Sequence, residues 1–153
     1  MARPAIGSSF VFWWRWLLTA TCAVIIAGAC LVFLPGFARN LFGVLYYGSA
    51  TALDDFPDEA VRYITLAHGV LGAVMISWGV AFAFVLLGPF RQAQPNAWWT
   101  FSVSLATWFV VDSGFSLWTG FWQNAVLNAV IALFFLPALA GMRRSCTSAT
   151  APE

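Results

Sequence analysis

The chain has 153 residues, 61% of them hydrophobic and only 8% charged, where a soluble domain carries about 25% charged residues. A water-soluble domain of this size buries only about 70% of the surface that its unfolded chain exposes, so this much apolar side chain calls for lipid as the solvent. The formal net charge of +1 excludes broad electrostatic binding of nucleic acid.

A transmembrane helix needs about 20 predominantly apolar residues, and four such runs follow one another. The first covers about 14–34 and stops at Pro35-Gly36. Ala27-Gly28-Ala29-Cys30 faintly resembles a cleavage box. The apolar run continues past it through Leu34, however, so cleavage there would split a span, and a retained helix is expected.

The segment from Phe37 to Tyr47 places Phe37, Leu41, Phe42 and Leu45 on one helical face, as in a short interfacial helix. Four of the six acidic residues then fall in Asp54-Asp55-Phe56-Pro57-Asp58-Glu59. Pro57 followed by Asp58 and Glu59 is a helix-start signal, because proline needs no amide partner there and carboxylates suit the positive helix end.

The second run covers about 60–87 and ends at Gly88-Pro89. Gly69, Ala73 and Ser77 recur every fourth residue along it, a spacing that lets helices approach closely and predicts the central packing helix. The third run, about 97–118, holds a single charge, Asp112. Thr119-Gly120 separates it from the fourth, about 121–142, which ends at Arg143-Arg144. None of these runs alternates polar with apolar, as barrel strands would. The expected fold is all-α: one membrane domain built as an up-down four-helix transmembrane bundle, with the possible interfacial helix in its first outer loop.

Arginines set the orientation. Four spans put both termini and the second loop on one side, with Arg3, Arg15, Arg91, Arg143 and Arg144, against Arg39 and Arg62 on the other. Excess arginine marks the cytoplasmic side. Both termini are therefore expected in the cytoplasm, with the chain in the cell membrane. Tryptophans at the span ends (Trp13, Trp14, Trp16, Trp98, Trp99, Trp118 and Trp122) read as interface anchors.

Ionisable groups at membrane depth cost about 2.5–3.5 kcal/mol each on insertion scales and usually face the protein interior. His68 and Asp112 are the clear cases. At 1.5 Å per residue both lie roughly 9 Å inside the outer face, with Asn124 and Asn128 roughly 5–10 Å deep. Asp112 shares a helix face with Trp108 and Ser116. The predicted ligand-binding set is His68, Trp108, Asp112, Ser116, Asn124 and Asn128. His68 and Asp112 are also the candidates for an acid/base pair, although a purely structural polar cluster is the competing reading.

No cofactor is implied. His68 is the single histidine, which excludes a bis-histidine haem within one chain, and one His with one Asp falls short of a zinc site. Cys22, Cys30 and Cys146 form no CxxC pair. The expected role is binding of a lipid-like or hydrophobic small molecule in an outer-leaflet polar pocket. The alternatives are an accessory or assembly subunit of a larger membrane complex, and a proton-coupled transporter acting as an oligomer. Expected partners are the lipid bilayer, a hydrophobic ligand, and a membrane protein or second copy.

Overall fold

A computed structural model describes residues 7–147; Arg3, used above for the orientation, lies outside them. Five α-helices follow in order: α1 (Ser8–Phe33), α2 (Pro35–Tyr47), α3 (Asp58–Val85), α4 (Pro95–Trp118) and α5 (Trp122–Thr147). A short π-helical stretch, Leu86–Phe90, continues α3. Three helical segments are long and apolar enough to cross a membrane: Ser8–Phe33, Asp58–Phe90 and Trp122–Thr147. At 24 residues α4 is long enough, but Asn96, Thr100, Ser102, Ser104, Thr107, Asp112, Ser113 and Ser116 dilute its apolar character.

Helix ends follow local chemistry. Pro35 sits in the first turn of α2, and Gly48 closes that helix in the left-handed conformation at φ 76°. Asp58 and Glu59 occupy the first turn of α3. Gly120, at φ 86°, turns α4 into α5, and the Phe121 amide reaches back to the Ser116 carbonyl at 2.8 Å. Residues with a Cβ pay a steric penalty in that region, so glycine suits both turns.

The tightest packing joins α1 to α3 through glycine. A Cβ on Gly28 would lie 2.7 Å from the Gly72 carbonyl oxygen, and one on Gly79 would run into Ile25. The regular small-residue series behaves otherwise: Ala73 and Ser77 are exposed, and a Cβ on Gly69 would meet nothing within 4 Å. Gly72 and Gly79, seven apart, make the seam instead.

The main apolar core gathers the start of α1 (Phe10, Leu17), the end of α3 and its π-helical extension (Phe82, Leu86, Phe90), the start of α4 (Phe101, Leu105) and the end of α5 (Phe135, Leu139, Met142). Phe82 stacks on Phe101 at 3.9 Å between ring centroids. A smaller cluster at the other end holds Leu31, Ala38 and Phe42. The outside is apolar too, with Phe33, Phe84, Val110 and Leu133 all exposed, as suits a surface facing hydrocarbon rather than water.

Several span-end tryptophans serve as hydrogen-bond donors between helices. Trp14 Nε1 donates to the Leu86 carbonyl at 2.8 Å, Trp16 Nε1 to Phe134 at 2.6 Å, and Trp98 Nε1 to Leu139 at 2.9 Å. Two of these bonds fall beside prolines: Pro89 in the π-helical stretch and Pro137 inside α5. Proline removes an amide donor and kinks the helix, freeing carbonyls in the preceding turn. The indoles satisfy carbonyls in those disturbed turns.

Candidate functional site

Polar side chains of α2, α4 and α5 meet at the end opposite the aromatic core. Asn124, in the first turn of α5, is the centre. Its Nδ2 donates to Asp112 Oδ1 at 3.1 Å and to Ser116 Oγ at 2.8 Å. Its Oδ1 accepts from the Tyr46 hydroxyl at 3.1 Å. The Ser116 hydroxyl lies 2.7 Å from the Asp112 carbonyl and 3.4 Å from its Oδ1. Asp112 and Ser116 share one face because they are four apart, and the tight turn at Gly120 brings Asn124 back beside them.

Asp112, Ser116 and Asn124, singled out from the sequence, are thus in one network. Asn128, one turn further along α5, is buried and donates to Ser113 Oγ at 3.2 Å. This second polar tie between α4 and α5 faces a neighbouring strip of α4. Trp108 lies one turn inward of Asp112 and packs near Trp78, with centroids 6.3 Å apart, at the edge of the aromatic core.

His68 stacks on Phe42 of α2 with ring centroids 4.3 Å apart, and its Nδ1 is buried without a hydrogen-bond partner. No hydrogen bond joins it to Asp112 among the described residues. Their connection is indirect: Phe42 stacks on Tyr46 at 5.6 Å, and Tyr46 bonds Asn124. The equal depth expected of His68 and Asp112 does not make them partners: His68 packs on Phe42, and Asp112 bonds Asn124.

The residue that sequence reasoning missed is Tyr46. Burial, and to a lesser degree the nearby charge of Asp112, raise its phenol above the ordinary value of 10.0, so it stays a donor at neutral pH. Phe121 packs edge-on against its ring at 5.1 Å, and Gln123 Nε2 reaches the Tyr46 carbonyl at 3.4 Å. The available signal was its i,i+4 spacing from Phe42. On α2 the inward side is Ala38, Phe42, Leu45 and Tyr46, whereas Phe37 and Leu41, assigned to the same apolar face, point outward with Val44. Arg39 pairs with Asp54 at 3.6 Å and ties α2 to the acidic loop.

Among the described residues no group of three or more His, Cys, Asp or Glu side chains could hold a metal ion. No protein family, curated protein or solved structure matches this chain.

Proposed function

We propose that this protein is a four-span, up-down membrane bundle that binds a lipid-like or hydrophobic small molecule at the polar network around Asp112, near the outer leaflet. The observation that carries the reading is the network itself. An ionisable residue at membrane depth is costly, and here Ser116 and Asn124 donate to one carboxylate while Tyr46 of a third helix donates to Asn124. An apolar surround with a few convergent polar groups is the usual make-up of a small-molecule site. The four-span arrangement draws support from the core that joins the start of α1, the end of α3, the start of α4 and the end of α5. With the arginine bias, it puts both termini in the cytoplasm and the Tyr46–Asn124 end outside. In this arrangement α2 lies along the outer interface, with Phe37, Leu41 and Val44 towards lipid.

Purification in a mild detergent, with mass spectrometry of the extracted small molecules, tests the proposal. An apolar molecule should accompany the wild-type protein in near-stoichiometric amount and fall several-fold in Asn124→Ala. Equal recovery from both proteins, or none from either, would sink it.

One observation favours the accessory-subunit reading. The outward strip of α3 offers small residues at Ala73 and Ser77, with open space around Gly69, a surface suited to another transmembrane helix. A protein co-purifying in fixed ratio would support that reading.

A further inference from the structure

The hydrogen bonds of the network all run one way. Tyr46 donates to Asn124, Asn124 donates to Asp112 and Ser116, and the Ser116 hydroxyl turns back onto Asp112. Donors converge on Asp112 Oδ1, so what is left over at the end of the chain is an acceptor. Among the described residues no hydrogen bond reaches Asp112 Oδ2. Nor is that oxygen sealed: the buried atoms without partners include His68 Nδ1 and Gln123 Oε1 but not Asp112 Oδ2, although Asp112 as a whole is partly buried. A carboxylate accepts hydrogen bonds on both oxygens. A group that bonds Oδ2 must therefore be a donor.

Among the described residues no cation pairs with Asp112. The ion pair found among the described residues is Arg39 with Asp54, and Arg91 lies over the Trp14 ring at 5.4 Å to its centroid. Exposed apolar side chains flank Asp112 on α4, among them Val111 and Phe115. Helices α3 and α4 are bridged by rings, Phe82 on Phe101 and Trp78 near Trp108. Leu71 is seven residues from Trp78, and Phe115 seven from Trp108, so each repeats the face of its tryptophan two turns further out. Both are exposed, Leu71 at 45% and Phe115 at 58%. Beyond the tryptophan pair Leu71 and Phe115 are therefore uncovered, and Asp112 stands one turn from Trp108 along α4.

We infer that the ligand is a cationic amphiphile: a protonated amine donating to Asp112 Oδ2, with its alkyl chain lying between α3 and α4 against Leu71 and Phe115. The inference rests on the small-molecule reading of the preceding subsection and narrows it to a charge class. A hydrogen bond between charged groups is about twice as strong as a neutral one, so the cation outcompetes an alcohol of equal chain length.

The test compares dodecylammonium with dodecanol, each titrated into the full-length protein in dodecyl maltoside at pH 7 and followed by tryptophan fluorescence. Dodecylammonium should bind at least about tenfold tighter than dodecanol, a difference of about 1.4 kcal/mol. Asp112→Asn, which keeps the shape and the Asn124 contact, should bring the two probes within about twofold, the conversion being RT ln 2. Asp54→Asn, which removes an acidic charge from the outer loop, should leave the preference intact. Leu71→Trp should weaken both probes together by crowding the proposed path of the alkyl chain. Equal affinity of the two alkyl probes for the wild type would overturn the charge assignment and leave the small-molecule site standing. Loss of preference in Asp54→Asn as large as in Asp112→Asn would also overturn it, by moving the attraction to the loop. Failure of both probes to bind, together with no co-purifying molecule, would overturn the small-molecule site as well.

Discussion

Gly28 and Gly72 each occupy the space that the other's side chain would need: a Cβ on Gly28 would lie 2.7 Å from the Gly72 oxygen, and one on Gly72 2.5 Å from the Gly28 oxygen. Both obstacles are backbone atoms of long helices, which cannot swing aside as a side-chain tip can. Gly28→Ala and Gly72→Ala should each lower stability by about 1–3 kcal/mol, the usual cost of overpacking. Gly69→Ala, with open space around it, should be nearly silent. Thermal melting in detergent reads all three, and a silent Gly72→Ala would refute the close α1–α3 crossing.

Tyr46→Phe removes the donor from Asn124 Oδ1 and should cost about 1 kcal/mol, more if water cannot replace it. The phenol also gives a pH signature. Its folded value is raised above 10.0, so the native state holds its proton more tightly than the unfolded chain does. That stabilisation is complete below the unfolded value and is lost as pH rises through the folded value. Wild-type stability should fall more steeply above pH 10 than that of Tyr46→Phe, as measured by chemical denaturation across pH 8–11.

Coupling between residues follows from the contacts. Asp112→Ala combined with Asn124→Ala should deviate from additivity by about 0.5–3 kcal/mol, as contacting residues do. His68→Ala should couple with Phe42→Ala through their stacked rings but add to Asp112→Ala within about 0.5 kcal/mol. Strong coupling of His68 with Asp112 would restore the acid/base pairing that their equal depth suggested.

Orientation is open to direct labelling. In a background free of native cysteines, Thr51→Cys should react with an impermeant thiol reagent on intact cells, and Ser145→Cys only after permeabilisation. Thr51 is exposed between α2 and α3, and Ser145 is exposed near the end of α5. The reverse pattern would invert the protein and place the Asp112 network on the inner side.

Elements in this chain were legible wherever one residue type dominates a run. The long apolar stretches, the proline and glycine stops and the tight α4–α5 turn all follow from local chemistry that a sequence displays. Asp112, Ser116 and Asn124 were legible for a related reason: a four-residue repeat fixes a shared face, and a short turn fixes the next helix beside it. Rotation of one helix about its own axis is not local. It depends on which small residues find a partner, and Gly72 and Gly79 found Gly28 and Ile25 while Ala73 and Ser77 were left outside. That rotation carried His68 away from Asp112 and against Phe42. Tyr46 stayed hidden because α2 could be ranked as a surface helix before its inward side was known.

The tryptophan bonds have a consequence for how the chain is put together. Helices α1 and α3 are joined by the Gly28–Gly72 crossing and by Trp14 on Leu86. Helices α4 and α5 are joined by Trp98 on Leu139, by Asn128 on Ser113 and by Asn124 on Asp112. Helices α4 and α5 close most of their polar bonds on each other, α1 and α3 meet chiefly through their glycine seam, and the loop around Gln92 is the covalent link between the two hairpins. Between the hairpins run Trp16 to Phe134, Tyr46 to Asn124 and the Trp13 ring lying over Gly141. The protein is thus divisible. Two fragments, 1–92 and 93–153, expressed together should each insert and then find one another in the membrane. Tyr46→Phe and Trp16→Phe, mild in the continuous chain, should cut their recovery as a pair severalfold, because the tether that kept the hairpins close is gone and those side chains must bring them together unaided.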